Sequence, residues 1–143
     1  MGMRDRFADL ELEDWESNIV LNTRVRKTIA QVNAGCELLP AIPGKKYRVI
    51  DIELIAYGGA VAAATSVEVE ATQSGSGVDL LSVAVAGLTQ SAIVNMIHTN
   101  STVLADGASK VVNDVNTAIN ASKTGSAITT ATGIDFNITY VLE

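Results

Sequence analysis

Apolar and polar residues alternate along much of the chain from position 23 onward, in short segments that Gly, Asn and Asp separate. A period of two is typical of a β-strand with one face toward a core, and the abundance of Val, Ile and Thr favours the same structure. Residues 67–71 and 134–140 alternate strictly. The side chains predicted to face the core are Val67, Val69, Ala71, Ile134, Phe136, Ile138 and Tyr140.

The segment 46–57 predicts a longer strand in which the alternation changes phase once. Tyr47 and Val49 share one face at its start. The residues predicted to point inward after the change are Ile50, Ile52 and Leu54. Such a change predicts a β-bulge near Val49, because one inserted residue turns the following side chains to the other face.

Turn signals divide the chain into about eight strands. Further strands are predicted at 24–32, 78–86 and 92–97, and weaker ones at 102–104 and 116–122. The predicted turns contain Pro43-Gly44, Gly58-Gly59, Gly75-Ser76-Gly77, Asp106-Gly107 and Lys123-Thr124-Gly125, which are residue types that set or tolerate turn geometry. The pattern therefore predicts an all-β fold, an antiparallel β-sandwich or jelly roll.

The composition fits one such domain that exposes apolar surface for a partner to cover. Of the 143 residues only 18% are charged, against roughly 25% in typical globular domains. With a mean hydropathy of +0.27, this predicts apolar surface shared between copies, hence a homo-oligomer. A net charge of -6 argues against nucleic acid as a partner, since such binders neutralise phosphates with cations. Because no secretory leader or long apolar run is visible, we expect cytoplasmic synthesis and no membrane partner.

The first sixteen residues differ in composition from the rest, with six acids and two bases around four large apolar side chains. These candidate interface residues are Phe7, Leu10, Leu12 and Trp15. We expect an N-terminal arm over 1–22 and a sandwich domain over 23–143. Leu10 and Leu12 share one face of an extended arm, which could add as a strand to a neighbour's sheet edge with Trp15 as the hot spot. The alternative is a segment that closes one end of its own sandwich.

Motifs for catalysis are missing from the sequence. His98 is the only histidine, and no G-x-S-x-G motif is present, so we expect no enzyme and no catalytic residue. Cys36 is the only cysteine, which excludes an internal disulfide and a cysteine zinc cluster.

Motifs for bound groups are equally weak. Gly44-Lys45 is followed by Lys46, where a phosphate-binding loop needs Ser or Thr. Asp106 and Asp114 could contribute to an improvised calcium site, but hydrogen bonding to turn backbone explains Asp114 more simply. We therefore expect no cofactor and no metal.

Several turn-and-strand segments resemble those of small virion proteins of tailed bacteriophages. They are Ala30-Gln31-Val32-Asn33-Ala34-Gly35, Leu38-Leu39-Pro40-Ala41-Ile42-Pro43-Gly44-Lys45-Lys46-Tyr47-Arg48-Val49, Val103-Leu104-Ala105-Asp106-Gly107-Ala108-Ser109, Lys123-Thr124-Gly125-Ser126 and Thr130-Ala131-Thr132-Gly133-Ile134-Asp135. The family they resemble is the jelly-roll capsid decoration (cement) proteins. The resemblance covers about residues 24–142 and leaves the arm outside.

The resemblance implies a structural role on the outside of a phage capsid, and hence a location in the virion. Cement proteins bridge neighbouring capsid subunits, so the implied partners are the major capsid protein and further copies of this chain, with a trimer favoured over a dimer. The alternative is an adhesion or receptor-binding β-module of a head fibre or tail. That alternative predicts exposed aromatic residues for glycans, whereas the chain has only six aromatics, four of them in predicted strands.

Replacing His98 tests whether the chain carries histidine chemistry. We expect His98→Ala virions to assemble and to form plaques at the wild-type frequency, because no second catalytic group is evident. Loss of infectivity by a variant whose circular dichroism spectrum is unchanged would contradict this expectation.

Overall fold

The computed structural model describes residues 19–96, 103–105 and 113–143, with only the backbone described at 103–105. Within these residues the strands are Leu21–Thr28 (β1), Cys36–Leu39 (β2), Tyr47–Tyr57 (β3), Val61–Gln73 (β4), Ser76–Ala84 (β5), Ile93–Asn95 (β6), Val103–Ala105 (β7), Ile119–Thr130 (β8) and Gly133–Leu142 (β9). The helical segments are Ile29–Ala34 (α1) and a 3-10 turn, Val85–Gly87. Strands make up 65% and helices 8% of this part of the chain, which confirms the predicted all-β class.

The strands form two antiparallel sheets with interleaved connections. One sheet has the order β1-β9-β3-β6 and the other the order β2-β8-β4-β5-β7. Successive strands lie in different sheets, except for β4 and β5 and for β7 and β8, which share one. This interleaved order is that of a jelly roll, in which two Greek keys form a double sheet, and it confirms the predicted architecture.

The core lies between the inner faces of the two sheets. All seven residues predicted to face it on 67–71 and 134–140 are buried. One continuous cluster of buried side chains joins both sheets. Each square ångström of apolar surface removed from water contributes about 25 cal/mol, so this shared core is what holds the two sheets together.

The predicted bulge in β3 is confirmed, but one residue on it was assigned to the wrong face. The register of β3 against β9 shifts between Val49 and Asp51. Ile52 and Leu54 are fully buried, as predicted, whereas Ile50 is 41% exposed. Ile50 is the extra residue of the bulge and has no partner on β9, so its side chain leaves the inward alternation.

The strand predicted at 24–32 ends at Thr28, where α1 begins. A capping box explains the change, because the Thr28 hydroxyl oxygen accepts from the Gln31 amide (3.3 Å) and the Gln31 side chain accepts from the Thr28 amide (2.9 Å). Val32 is the buried anchor of α1, and Gly35 ends it with a φ of 76°. The prediction of a continuous strand was therefore wrong for the residues after Thr28.

Three strands approach one another closely at Gly133, the first residue of β9. A Cβ atom at this position would lie well inside contact distance of the Lys27 carbonyl oxygen and of the Tyr57 ring. Glycine therefore permits the spacing at which β9 pairs with both β1 and β3. This spacing also sets where the outward side chains of β1 meet those of β9.

We expect Gly133→Ala to lower the free energy of unfolding by about 2–4 kcal/mol, because a backbone carbonyl cannot move aside for the new methyl group. Gly77→Ala is the matched control, since a Cβ atom on Gly77 meets nothing within 4 Å, and it should change that free energy by less than about 1 kcal/mol. Urea unfolding followed by circular dichroism measures both. Equal effects of the two substitutions would show that the close approach is unimportant.

Candidate interaction surfaces

Two arginines of β1 and one aspartate of β9 form an ion cluster on the outer face of the four-stranded sheet, which we call the arginine clamp. Arg24 and Arg26 are two residues apart, so their side chains share that face. Arg24 Nη2 donates to Asp135 Oδ2 over 2.6 Å. Arg26 donates from Nε to Oδ1 over 2.7 Å and from Nη2 to Oδ2 over 2.9 Å. This fork of two parallel hydrogen bonds is the strongest geometry available to an arginine and a carboxylate, and it ties β1 to β9.

The clamp keeps its carboxylate ionised and leaves its arginines accessible. The side chain of Asp135 is 4% exposed, while those of Arg24 and Arg26 are 64% and 60% exposed. Hydrogen bonds from Arg26 lower the pKa of Asp135 to about 2, with a smaller contribution from Arg24, and outweigh the opposing effect of burial. Because one carboxylate faces two guanidinium groups, the clamp has a net positive charge that faces solvent.

Tyr57 extends the clamp on the side of β3. The Arg26 guanidinium carbon lies 4.2 Å from the centroid of the Tyr57 ring, a cation–π contact that holds the side chain over the sheet. Neither Tyr57 nor Asp135 was predicted from the sequence to be a site residue. The alternation of residues 134–140 indicates that Asp135 points outward, but the sequence does not show that this strand pairs with β1.

The free side of β1, which we call the β1 edge, has no partner strand among the described residues. The inward side chains of Leu21 and Val25, and that of Ile29 just beyond, are only partly buried against the core. The clamp arginines and Lys27 make the same strand cationic. Charges of one sign on an edge strand protect it from pairing with a like strand, so the β1 edge favours a strand that is apolar on one face and acidic on the other.

A shallow apolar groove, which we call the strand-end groove, lies where β1 begins. Its volume is about 320 Å³, and it is lined by Ile19, Leu21, Ile42, Lys45 and Leu142. Ile19 and Val20 are both exposed, although such residues are usually covered. The groove therefore offers uncovered apolar surface at the point where the N-terminal segment joins the sandwich.

Three half-buried carboxylates lie together on the outer face of the five-stranded sheet. One oxygen each from Glu68, Glu70 and Asp79 lies within 4.8 Å of the others. Burial, followed by the charge of Glu70, raises the pKa of Asp79. The Ser66 hydroxyl donates to Glu68 over 3.1 Å, and the Ser122 hydroxyl donates to Glu70 over 2.7 Å. Oxygen atoms of this kind suit hard cations, but two of the three acids already have hydroxyl partners, so the cluster is explained as hydrogen-bonded surface.

The Asp114 carboxylate fastens the turn between β4 and β5. It accepts hydrogen bonds from the amides of Ser74 (3.1 Å) and Gly75 (2.9 Å). From the sequence we expected Asp114 to bind the backbone of its own turn, whereas the structure shows it binding the backbone of a turn about 40 residues away. Both of its oxygens are engaged, which leaves this carboxylate poorly placed for calcium.

The remaining candidates from the sequence contribute no described site. Phe7, Leu10, Leu12 and Trp15 lie outside the described residues, as do His98 and Asp106. Cys36 is half-buried, and burial raises the pKa of its thiol. A thiol that stays protonated at neutral pH is a poor nucleophile.

Comparison with known families and curated proteins found no match, so the surfaces described above are the evidence that bears on function. Among the described residues no helix is long and apolar enough to span a lipid bilayer.

We expect Asp135→Asn to lower the free energy of unfolding at pH 7 by about 1–2 kcal/mol, a range discounted for the exposed arginines. The pKa of Asp135 lies below the value of about 3.9 in an unfolded chain. Its contribution is therefore present above about pH 4 and lost as the pH falls toward 2. Urea unfolding at pH 7, 4 and 2 should show the gap between wild type and variant closing at the lowest pH. A gap of equal size at all three pH values would contradict a charge-dependent clamp.

Proposed function

We propose that this protein is a structural virion protein that binds the outside of a bacteriophage capsid and stabilises it by bridging neighbouring capsid subunits. The observation that carries the proposal is the jelly-roll topology combined with an acidic N-terminal segment, which precedes a cationic sheet edge that has no partner strand among the described residues. A rigid sandwich with extended, shallow surfaces suits attachment to a large lattice. The resemblance of the turn-and-strand segments to cement proteins supports the same role.

Bridging of this kind depends on many modest contacts. A decoration protein meets each capsid subunit through a small surface, and the symmetry of the shell multiplies those contacts into high avidity. The proposed partners are the major capsid protein and further copies of this chain. A homo-oligomer presents several equivalent surfaces at once, and the trimer is favoured over the dimer by the resemblance to cement proteins alone.

The burial of the described aromatic residues supports the capsid role over an adhesion module. Tyr47, Phe136 and Tyr140 are buried, and Tyr47 packs edge-on against Tyr140 with ring centroids 5.2 Å apart. Tyr57 is half-buried beneath Arg26. Glycan-binding surfaces rely on exposed aromatic faces, and the described part of the chain offers none of that kind.

We expect purified protein to bind emptied capsids prepared from phage that lacks this gene. Binding should saturate, because each capsid has a fixed number of equivalent positions, and it should raise the temperature at which the shells rupture. Co-sedimentation measures the first effect, and light scattering during heating measures the second. Capsids that already carry the protein are the control and should take up no more.

Two outcomes would overturn this proposal. Folded protein that fails to co-sediment with the emptied capsids would exclude the decorating role. Binding to intact host cells in the absence of capsid binding would instead favour the adhesion module.

A further inference from the structure

Residues 9–13, Asp-Leu-Glu-Leu-Glu, alternate acidic and apolar side chains in the pattern that would complete the β1 edge. The alternation ends there, since Asp14 falls on the face of the leucines and Trp15 on the acidic face. In an extended conformation, Leu10 and Leu12 point to one side while Glu11 and Glu13 point to the other. The β1 edge offers the complementary arrangement, with partly buried apolar side chains on its inner face and the clamp arginines on its outer face.

Two antiparallel alignments satisfy both faces together. One has Leu12 opposite Val25, and the other is shifted by two residues and has Leu10 opposite Val25, Glu11 opposite Arg24 and Asp9 opposite Arg26. When Leu12 lies opposite Val25, Glu13 lies opposite Arg24 and Glu11 lies opposite Arg26. Directly opposed side chains on neighbouring strands lie about 4.5–5.5 Å apart, so each glutamate would reach its arginine. Leu12 would cover Val25, which the core leaves partly open, and Leu10 would lie beside the aliphatic part of Lys27. We infer that residues 9–16 of one copy add as a strand to the β1 edge of a second copy and thereby hold the homo-oligomer together.

The path of the chain at the strand-end groove favours a second copy over the arm's own sheet. Ile19 and Leu21, two residues apart, line the same groove, as in an extended chain that runs past the end of the sheet. In the alignment with Leu12 opposite Val25, an arm folded on its own sheet would reverse the chain within residues 17–20, and in the alignment shifted by two residues it would do so at Ser17-Asn18. Neither loop contains glycine, and the longer one uses the β-branched Ile19 and Val20, which suit tight turns poorly. The four residues between Glu16 and Leu21 span up to about 14 Å when extended, so the β1 edge of the second copy has to lie close to the strand-end groove of the first.

The charges on β1 also exclude a simpler way of joining two copies. Antiparallel pairing of β1 with β1 would bring Arg24, Arg26 and Lys27 of both copies together, and opposed like charges are destabilising. An acidic strand replaces that repulsion with attraction. Each copy has one arm to give and one edge to offer, so the exchange closes on itself, reciprocally in a dimer or head-to-tail in a trimer. This inference goes beyond the proposed function and does not depend on capsid binding.

Cross-linking between two different variants tests the exchange. One tagged chain carries Leu12→Cys, a differently tagged chain carries Val25→Cys, and both carry Cys36→Ser to remove the native thiol. The two chains are co-expressed and oxidised under mild conditions. Because the new thiols lie on separate chains, a disulfide between them forms only if the arm of one copy lies on β1 of another. We expect a cross-linked species that contains both tags.

Three further samples make the result decisive. Leu12→Cys co-expressed with Thr129→Cys, on an exposed position of β8, is the negative control and should not cross-link. Leu10→Cys with Val25→Cys tests the alignment shifted by two residues, and a cross-link between those two chains would support the exchange in that register. A single chain that carries both Leu12→Cys and Val25→Cys tests docking on its own sheet. Cross-linking only within that single chain, or in none of the samples, would overturn the inference.

A charge variant tests the complementarity independently. We expect Glu13→Lys to raise the dissociation constant of the oligomer roughly three- to thirtyfold, because it replaces an attractive cross-strand pair with a repulsive one. Asp5→Lys makes the same change in charge outside residues 9–16 and should have an effect below about threefold. Sedimentation equilibrium of the purified full-length variants measures both constants. Equal effects of the two substitutions, or a wild-type protein that is monomeric at micromolar concentration, would contradict the exchange.

Discussion

Pairing of β9 with β1 on one side and β3 on the other organises the sandwich. Residues from Gly133 to Tyr140 have partners on both neighbouring strands, and the inward side chains of this stretch are buried. The same alternation that places Phe136 in the core places Asp135 outside, beneath the clamp arginines. A shift of one residue would exchange these two positions, so the register that builds the core also builds the charged surface.

The fold could be predicted where the chain keeps a period of two, and it could not where the chain departs from that period. A strict alternation, which by itself indicates that one face is buried, includes Val67, Val69 and the inward residues of β9. Ile50 is apolar and still exposed, because the extra residue of a bulge does not follow the alternation that turns the other apolar side chains inward. The helix α1 has only six residues, too few to show a helical period, and its signal was the spacing of Thr28 and Gln31 in the capping box.

The surfaces were less predictable than the fold, for a different reason. The spacing of Arg24 and Arg26 shows that both side chains share a face, and the alternation around Asp135 shows that it points outward. The ion cluster nevertheless joins residues more than a hundred positions apart, which the pairing of β1 with β9 brings together. Local pattern identifies which side chains are available, whereas long-range register decides which of them meet.

The way the sandwich treats its four sheet edges explains why charge is concentrated where it is. Among the described residues the edge strands are β2 with four residues, β6 and β7 with three each, and β1 with eight. Short edges offer few unpaired backbone groups, so length alone protects three of them. The β1 edge is long enough to recruit another strand, and its protection is cationic. Protection by length acts against every partner, whereas protection by charge repels like strands and attracts acidic ones. The chain has few charged residues. The cations on β1 therefore make the longest edge strand among the described residues selective for acidic strands.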